Sequence, residues 1–140
     1  MKKWKKFLLA VLVIAVASAT YGYYLIHKKP ADVRRLSAKY ELTSTILVNE
    51  FIESEAAANK KYLDKVVSVK GNVADIKVGP AGQVTIFLES DNPLSSVTCS
   101  FYDDEAKSVR TIQKGDEIIV KGICTGILMD VVLNKCSIIK

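Results

Sequence analysis

Twenty consecutive residues, Phe7 to Ile26, carry no charge, and this run constrains the chain more than any other feature. As an α-helix it would extend roughly 30 Å, about the hydrocarbon thickness of a bilayer. Inside lipid a backbone has to satisfy its own N–H and C=O groups, so an isolated segment of this kind crosses as a helix. Trp4 stands at one end and Tyr21, Tyr23 and Tyr24 at the other, the two interfaces that amphipathic aromatics prefer. Lys2, Lys3, Lys5 and Lys6 precede the run; Lys28 and Lys29 follow it. The reading is a basic tail over residues 1–6 and a transmembrane signal-anchor helix over 7–26 that attaches the chain to a membrane. Ala17-Ser18-Ala19 fits a signal-peptidase site with cleavage after Ala19. The apolar run continues to Ile26, however, which a cleaved peptide does not need, and this favours an uncut anchor. Arg34 and Arg35 add to the basic residues on the far side and blunt the charge asymmetry that sets orientation. A short basic tail that stays inside is the commoner arrangement. The expected location is therefore the inner (cytoplasmic) membrane, single-pass, with the C-terminal domain outside the cytoplasm.

Net charge has to be divided along the chain before it says anything about ligands. The whole sequence is formally +5. Residues 1–30 hold six lysines and no acid, so the fourteen remaining basic residues face all fifteen acids over 31–140. The basic excess thus belongs to the anchor, and the domain behind it attracts phosphate little at long range. That domain has room for one modest core. Its expected bounds are a polar juxtamembrane linker over 27–41, ended on its membrane side by Pro30, and a folded domain over 42–140.

Within the domain, Thr43 or Ser44 can cap a helix whose Ile46, Leu47, Phe51 and Ala58 share one face. This helix should fade near Asn59. From Lys65 the apolar period changes to two: Val67, Val69, Gly71 and Val73 alternate with Ser68, Lys70 and Asn72, as a half-buried strand requires. After the Gly79–Gly82 turn, Val84, Ile86 and Leu88 mark a second strand; after Asp91-Asn92-Pro93, Val97, Cys99 and Phe101 mark a third. A polar connector, Asp103–Gln113, leads through the Lys114-Gly115-Asp116 turn to strands over Glu117–Thr125 and within Leu128–Ile139. The expected fold is mainly β: a five-stranded antiparallel barrel preceded by an amphipathic helix. Gly71 and Gly122 would permit the coiling that closes a small barrel.

Tyr62-Leu63-Asp64-Lys65-Val66-Val67-Ser68-Val69-Lys70-Gly71-Asn72-Val73 resembles the opening strand of an OB-fold, and Lys114-Gly115-Asp116-Glu117-Ile118-Ile119-Val120-Lys121-Gly122 resembles its fourth. Together with Glu55–Tyr62 before them and Cys124-Thr125-Gly126 and Asn134-Lys135-Cys136 after, the stretch from Leu42 to Ile139 is similar to the bacterial tRNA_anti-like family of OB-fold proteins. The resemblance implies an OB-fold behind a leading helix and an export or anchor segment. It carries no catalytic residue over to this chain.

An OB barrel binds its ligands on the outer face of its first three strands. Here that face offers Lys70, Asn72, Thr85, Phe87, Ser100 and Tyr102 as candidate ligand-binding residues. Two aromatics and one lysine make a thin platform for a nucleic-acid strand, since stacking contributes about 1–3 kcal/mol per base. Nucleic-acid binding by a domain facing the cytoplasm is the alternative reading. A non-catalytic module at the bacterial cell envelope that binds a protein, peptide or glycan is the leading one. Cys124 and Cys136 flank the last hairpin and could pair as a disulfide in an oxidising compartment; as apolar core residues they would need no partner. The sequence has no CxxC pair and its single histidine, His27, lies beside the anchor, so no metal site or cofactor is expected. Without a histidine in the domain, Ser–His or Cys–His activation of a nucleophile has no means. Asp103, Asp104 and Glu105 could form a carboxylate pair, but three consecutive acids in a loop are ordinarily a solvated turn.

Overall fold

The computed structural model describes residues 2–28 and 32–139. The chain divides into two compact units, one ending at Ala31 and the other starting at Asp32.

The first unit is a single helix, α1 (Lys2–His27), which buries none of its residues and is long and apolar enough to cross a membrane. Its hydroxyls are satisfied within the helix. Ser18 donates to the Ile14 carbonyl at 2.8 Å and Thr20 to the Val16 carbonyl at 2.7 Å, so neither would present an unpaired polar group to lipid.

The second unit is built on strands β1 (Tyr40–Thr43), β2 (Val66–Val78), β3 (Val84–Leu88), β4 (Val97–Phe101), β5 (Glu117–Ile127) and β6 (Val131–Ile138). They pair in the order β1-β2-β3-β4-β6-β5, and β5 returns to β2. The last five therefore close into an OB-type barrel. The barrel is mixed, which corrects the expectation of an antiparallel one. β4 runs parallel to β6, with Val97 opposite Val131 and Cys99 opposite Leu133. The chain crosses from β4 through a short helix, α4 (Ala106–Val109), to β5 and reaches the free edge of β4 only in β6. β2 serves both neighbours because it is long. Its first half pairs with β5 and its second half with β3, and a bulge at Val73/Asp75 turns it from one to the other.

β1 was not expected. It runs parallel to β2, with Tyr40 opposite Val67 and Thr43 opposite Lys70, where the linker and the first helical turn were placed. The leading helix is in fact two. Thr43 caps α2 (Ser44–Glu53) by accepting the Ile46 N–H, and Ser54 breaks the helix and caps α3 (Glu55–Tyr62) by accepting the Ala57 N–H. Leu47, Phe51 and Ala58 are buried as expected. Ile46 is instead 48% exposed, and Val48 takes its place in the core. With helix entry at Ser44, the buried arc passes through 47, 48 and 51, leaving position 46 on its flank. Together with Tyr62 these side chains pack on Val67, Val69, Ile86, Leu88, Val120 and Leu133 from the strands.

The segment that follows α1 is not a free spacer where it is described. Val33 is fully buried within a short 3-10 turn, Val33–Arg35. Lys121 Nζ donates to the carbonyls of Arg34 and Leu36 at 3.1 and 2.8 Å. Lys39 N–H donates to the Val66 carbonyl. Asp32 to Lys39 thus forms a strap on the barrel.

Candidate functional site

Alternation along β2, β3 and β4 sends every second side chain outward, and the register sets those side chains in rows. One row is Lys77, Thr85 and Ser100; the next is Asp75, Phe87 and Thr98. The intervening residues Val84, Ile86, Val97 and Cys99 are buried in the core, which fixes the outward direction of the rows. Three of the sequence-predicted residues, Thr85, Phe87 and Ser100, are thus brought together. Lys77 reaches over the Phe87 ring, its ammonium 5.0 Å from the centroid, a cation–π contact that holds the lysine across the face. Asp75 is bound to Lys114 at 3.0 Å. That ion pair and the Ile76 N–H hold its carboxyl below the usual carboxylate range. Thr98 donates to Asp130 at 3.3 Å, and the same carboxylate accepts the Ser96 N–H at 2.7 Å. This ties the loop before β4 to the tip of the β5–β6 hairpin.

The other three predicted residues lie elsewhere. Lys70 and Asn72 stand on the half of β2 that pairs with β5. They line a groove of about 370 Å³ with Thr45, Glu89, Asp91 and Glu117. Lys70 is bound to Glu117 at 2.8 Å, so the cation there is already neutralised. Tyr102 is covered by the strap: its phenolic oxygen accepts the Val33 N–H at 3.2 Å, and Arg34 lies 4.8 Å over its ring. Arg34 in turn pairs with Asp32 at 2.8 Å and Asp104 at 2.7 Å. Hydrogen bonds from Arg34 lower the Asp32 carboxyl below its ordinary value. Two of the three acids at 103–105 therefore hold the strap, Glu105 through Ser137 and Arg34. Ser68, read as outward, is 6% exposed because Glu41 of β1 lies opposite it.

Sequence reasoning missed Lys77 and Asp75. The signal existed: Asp75-Ile76-Lys77-Val78 continues the period of two beyond Val73, but the bulge inserts Ala74 and shifts the phase. The three cysteines are free thiols. Across β5–β6, Cys124 stands opposite Leu133, three positions from Cys136. Burial raises the Cys124 thiol above its ordinary value. Among the described residues no group of His, Cys, Asp and Glu side chains is gathered to hold a metal. What the β2–β3–β4 face offers is one aromatic ring backed by one ammonium, the three hydroxyls of Thr85, Thr98 and Ser100, and one neutralised carboxylate. That is chemistry for holding a ligand.

Solved structures share this fold. A Klebsiella pneumoniae lipoprotein, provisionally described as nucleic acid-binding, is similar in structure with a TM-score of 0.61 at 21% identity, over 80% of this chain and 100% of that one. An aspartyl-tRNA synthetase assignment from Leishmania major matches with a TM-score of 0.51 at 11% identity, over 87% of this chain but 25% of that one. At these identities the likeness concerns the fold. No curated protein matches the sequence. The family match runs over residues 1–138, nearly the whole chain, and by it this protein belongs to the tRNA_anti-like family.

Proposed function

We propose that this protein is a membrane-tethered OB-fold module, without catalytic chemistry of its own, that holds an extended polar peptide or glycan segment across the two outer rows of β2–β3–β4. The observation that carries this reading is the composition of those rows: Phe87 under Lys77, flanked by Thr85 and Ser100, with Asp75 neutralised by Lys114. A ring and hydroxyls suit the alternating apolar and polar faces of a sugar or peptide chain. A phosphodiester strand asks for more. A single open ring supplies about 1–3 kcal/mol of stacking. Lys77 is the one cation in the rows, and Tyr102 lies under the strap. The tether is α1, placed in the inner membrane with its short basic tail inside and the barrel outside the cytoplasm.

A second reading, nucleic-acid binding, has two supports. A lysine stacked on an aromatic ring can meet a phosphate and a base together, and the similar Klebsiella lipoprotein carries that provisional description. The full chain in nanodiscs of zwitterionic lipid distinguishes the two. Chito-oligosaccharide is expected to shift the resonances of Thr85, Phe87 and Ser100, and Phe87→Ala to abolish the shift. Tight oligothymidylate binding that falls steeply with salt and is lost in Phe87→Ala would reverse the order.

A further inference from the structure

The three cysteines take no part in the ligand face, and the barrel positions them unequally. Cys99, Cys124 and Cys136 are all fully buried. On the parallel β4–β6 seam, Cys99 lies opposite Leu133 and Phe101 opposite Cys136, so β6 carries one residue more than β4 between these pairs. The extra residue is taken up at Lys135, whose φ of +52° is a left-handed conformation that a residue with a side chain disfavours. Plain alternation from buried Leu133 would send Cys136 outward; the bulge brings it into the core instead. Gly122 leaves the room for it, since a Cβ there would lie 2.6 Å from Cys136 Sγ. In that position the Cys136 thiol donates to the Leu133 carbonyl at 3.4 Å and has the Cys99 thiol as its neighbour. Cys124 has no such neighbour in register, because Leu133 stands across from it.

We propose that Cys99 and Cys136 are a disulfide-forming pair that staples the parallel β4–β6 seam, while Cys124 remains a thiol. The reaction is thiol–disulfide exchange with a small disulfide such as oxidised glutathione. One cysteine thiolate attacks the reagent and releases a glutathione thiolate. The second thiolate attacks the mixed disulfide at the protein sulfur, the Sγ–Sγ bond forms, and a second glutathione thiolate leaves. Two electrons and two protons pass from the pair to the reagent. Both thiols are shielded in the closed barrel, and burial holds the Cys136 thiol well above its ordinary value, so few thiolates are available there. Exchange therefore takes place before the barrel closes, or while the seam is open.

The full chain in detergent micelles, opened in urea and refolded with oxidised and reduced glutathione, tests this after alkylation, digestion and mass analysis. The expected result is Cys99 and Cys136 peptides joined and lighter by two hydrogens, with Cys124 alkylated, in the wild type and in Cys124→Ser alike. Oxidised wild type and Cys124→Ser should both melt above their reduced forms, and Cys99→Ser should show no such shift. Recovery of Cys124 joined to either partner, or alkylation of all three thiols under oxidising and reducing conditions alike, would overturn the assignment.

Discussion

A Cβ on Gly71 would sit 2.6 Å from the Ser44 hydroxyl oxygen, 3.1 Å from Ser44 Cβ and 3.3 Å from Leu88 Cβ. Ser44 opens α2, and its hydroxyl donates to the Glu89 carbonyl just beyond β3. The missing side chain thus lets a helix start and a strand end meet over β2. The sequence marks this residue as special, but for the coiling of the strand. Which atoms crowd it depends on α2 and β3, which no local pattern connects. Gly71→Val should destabilise the barrel by roughly 1–3 kcal/mol through overpacking, read as a lower urea midpoint for the full chain in micelles. An unchanged midpoint would mean that α2 does not pack where the structure puts it. The residues predicted for ligand binding show the same division. Thr85, Phe87 and Ser100 follow from alternation alone. Tyr102 has the right phase but is lost to a strap that approaches from 69 residues away.

Between elements, the junction of α2 and α3 depends on one carboxylate. Glu50 accepts the Tyr62 hydroxyl at 2.7 Å and Lys61 Nζ at 2.9 and 3.1 Å. Burial pushes the Glu50 carboxyl up, but the hydrogen bonds from Lys61 and Tyr62 outweigh it and leave it below its ordinary value. A carboxyl depressed in the folded state gives stability that is complete above its unfolded pKa, about 4.3, and drains as pH falls through the lower folded value. Asp32 and Asp75 are depressed too and add in the same direction. The urea midpoint should therefore be level near neutrality and fall below about pH 4. Glu50→Gln should flatten part of that fall. An identical acid slope in the variant would show that the α2–α3 contact carries no linkage. This tie was hidden in the sequence, because no local pattern connects Glu50 to Lys61 and Tyr62 across the helix break. Strands announced by a period of two were legible, as were the turns at Gly79–Gly82 and Lys114–Asp116. The parallel seam, β1 and the rest of β2 were not. Closure pairs residues far apart in sequence, β1 is four residues long, and a bulge breaks the alternation on which the reading of β2 relied.

For the molecule as a whole, charge and hydropathy separate along the chain more cleanly than any other property. α1 carries Lys2, Lys3, Lys5 and Lys6 before its apolar stretch, and beyond residue 30 acids and bases nearly cancel. Orientation in a bilayer follows lysines and arginines within about 15–20 residues of the span. On the far side those are Lys28, Lys29, Arg34, Arg35 and Lys39. Arg34 is already bound to Asp32 and Asp104. Asp and Glu contribute little to the orientation rule, so that pairing leaves the counts on the two sides close, four against five. With charge this close to balance, the commoner arrangement, a short basic tail kept inside, should leave the barrel outside the cytoplasm. A near-balance is easily tipped, which makes the orientation testable. Replacing Lys2, Lys3, Lys5 and Lys6 with Asn removes the whole inner signal and leaves the far-side cluster intact, so a substantial fraction of chains should insert with the barrel inside. Protease added to intact spheroplasts should digest the wild-type barrel and spare that fraction in the variant. A wild-type barrel that is already protected would place the candidate β2–β3–β4 face in the cytoplasm and give the nucleic-acid reading precedence. A variant digested as completely as the wild type would show that something other than the lysine tail directs insertion.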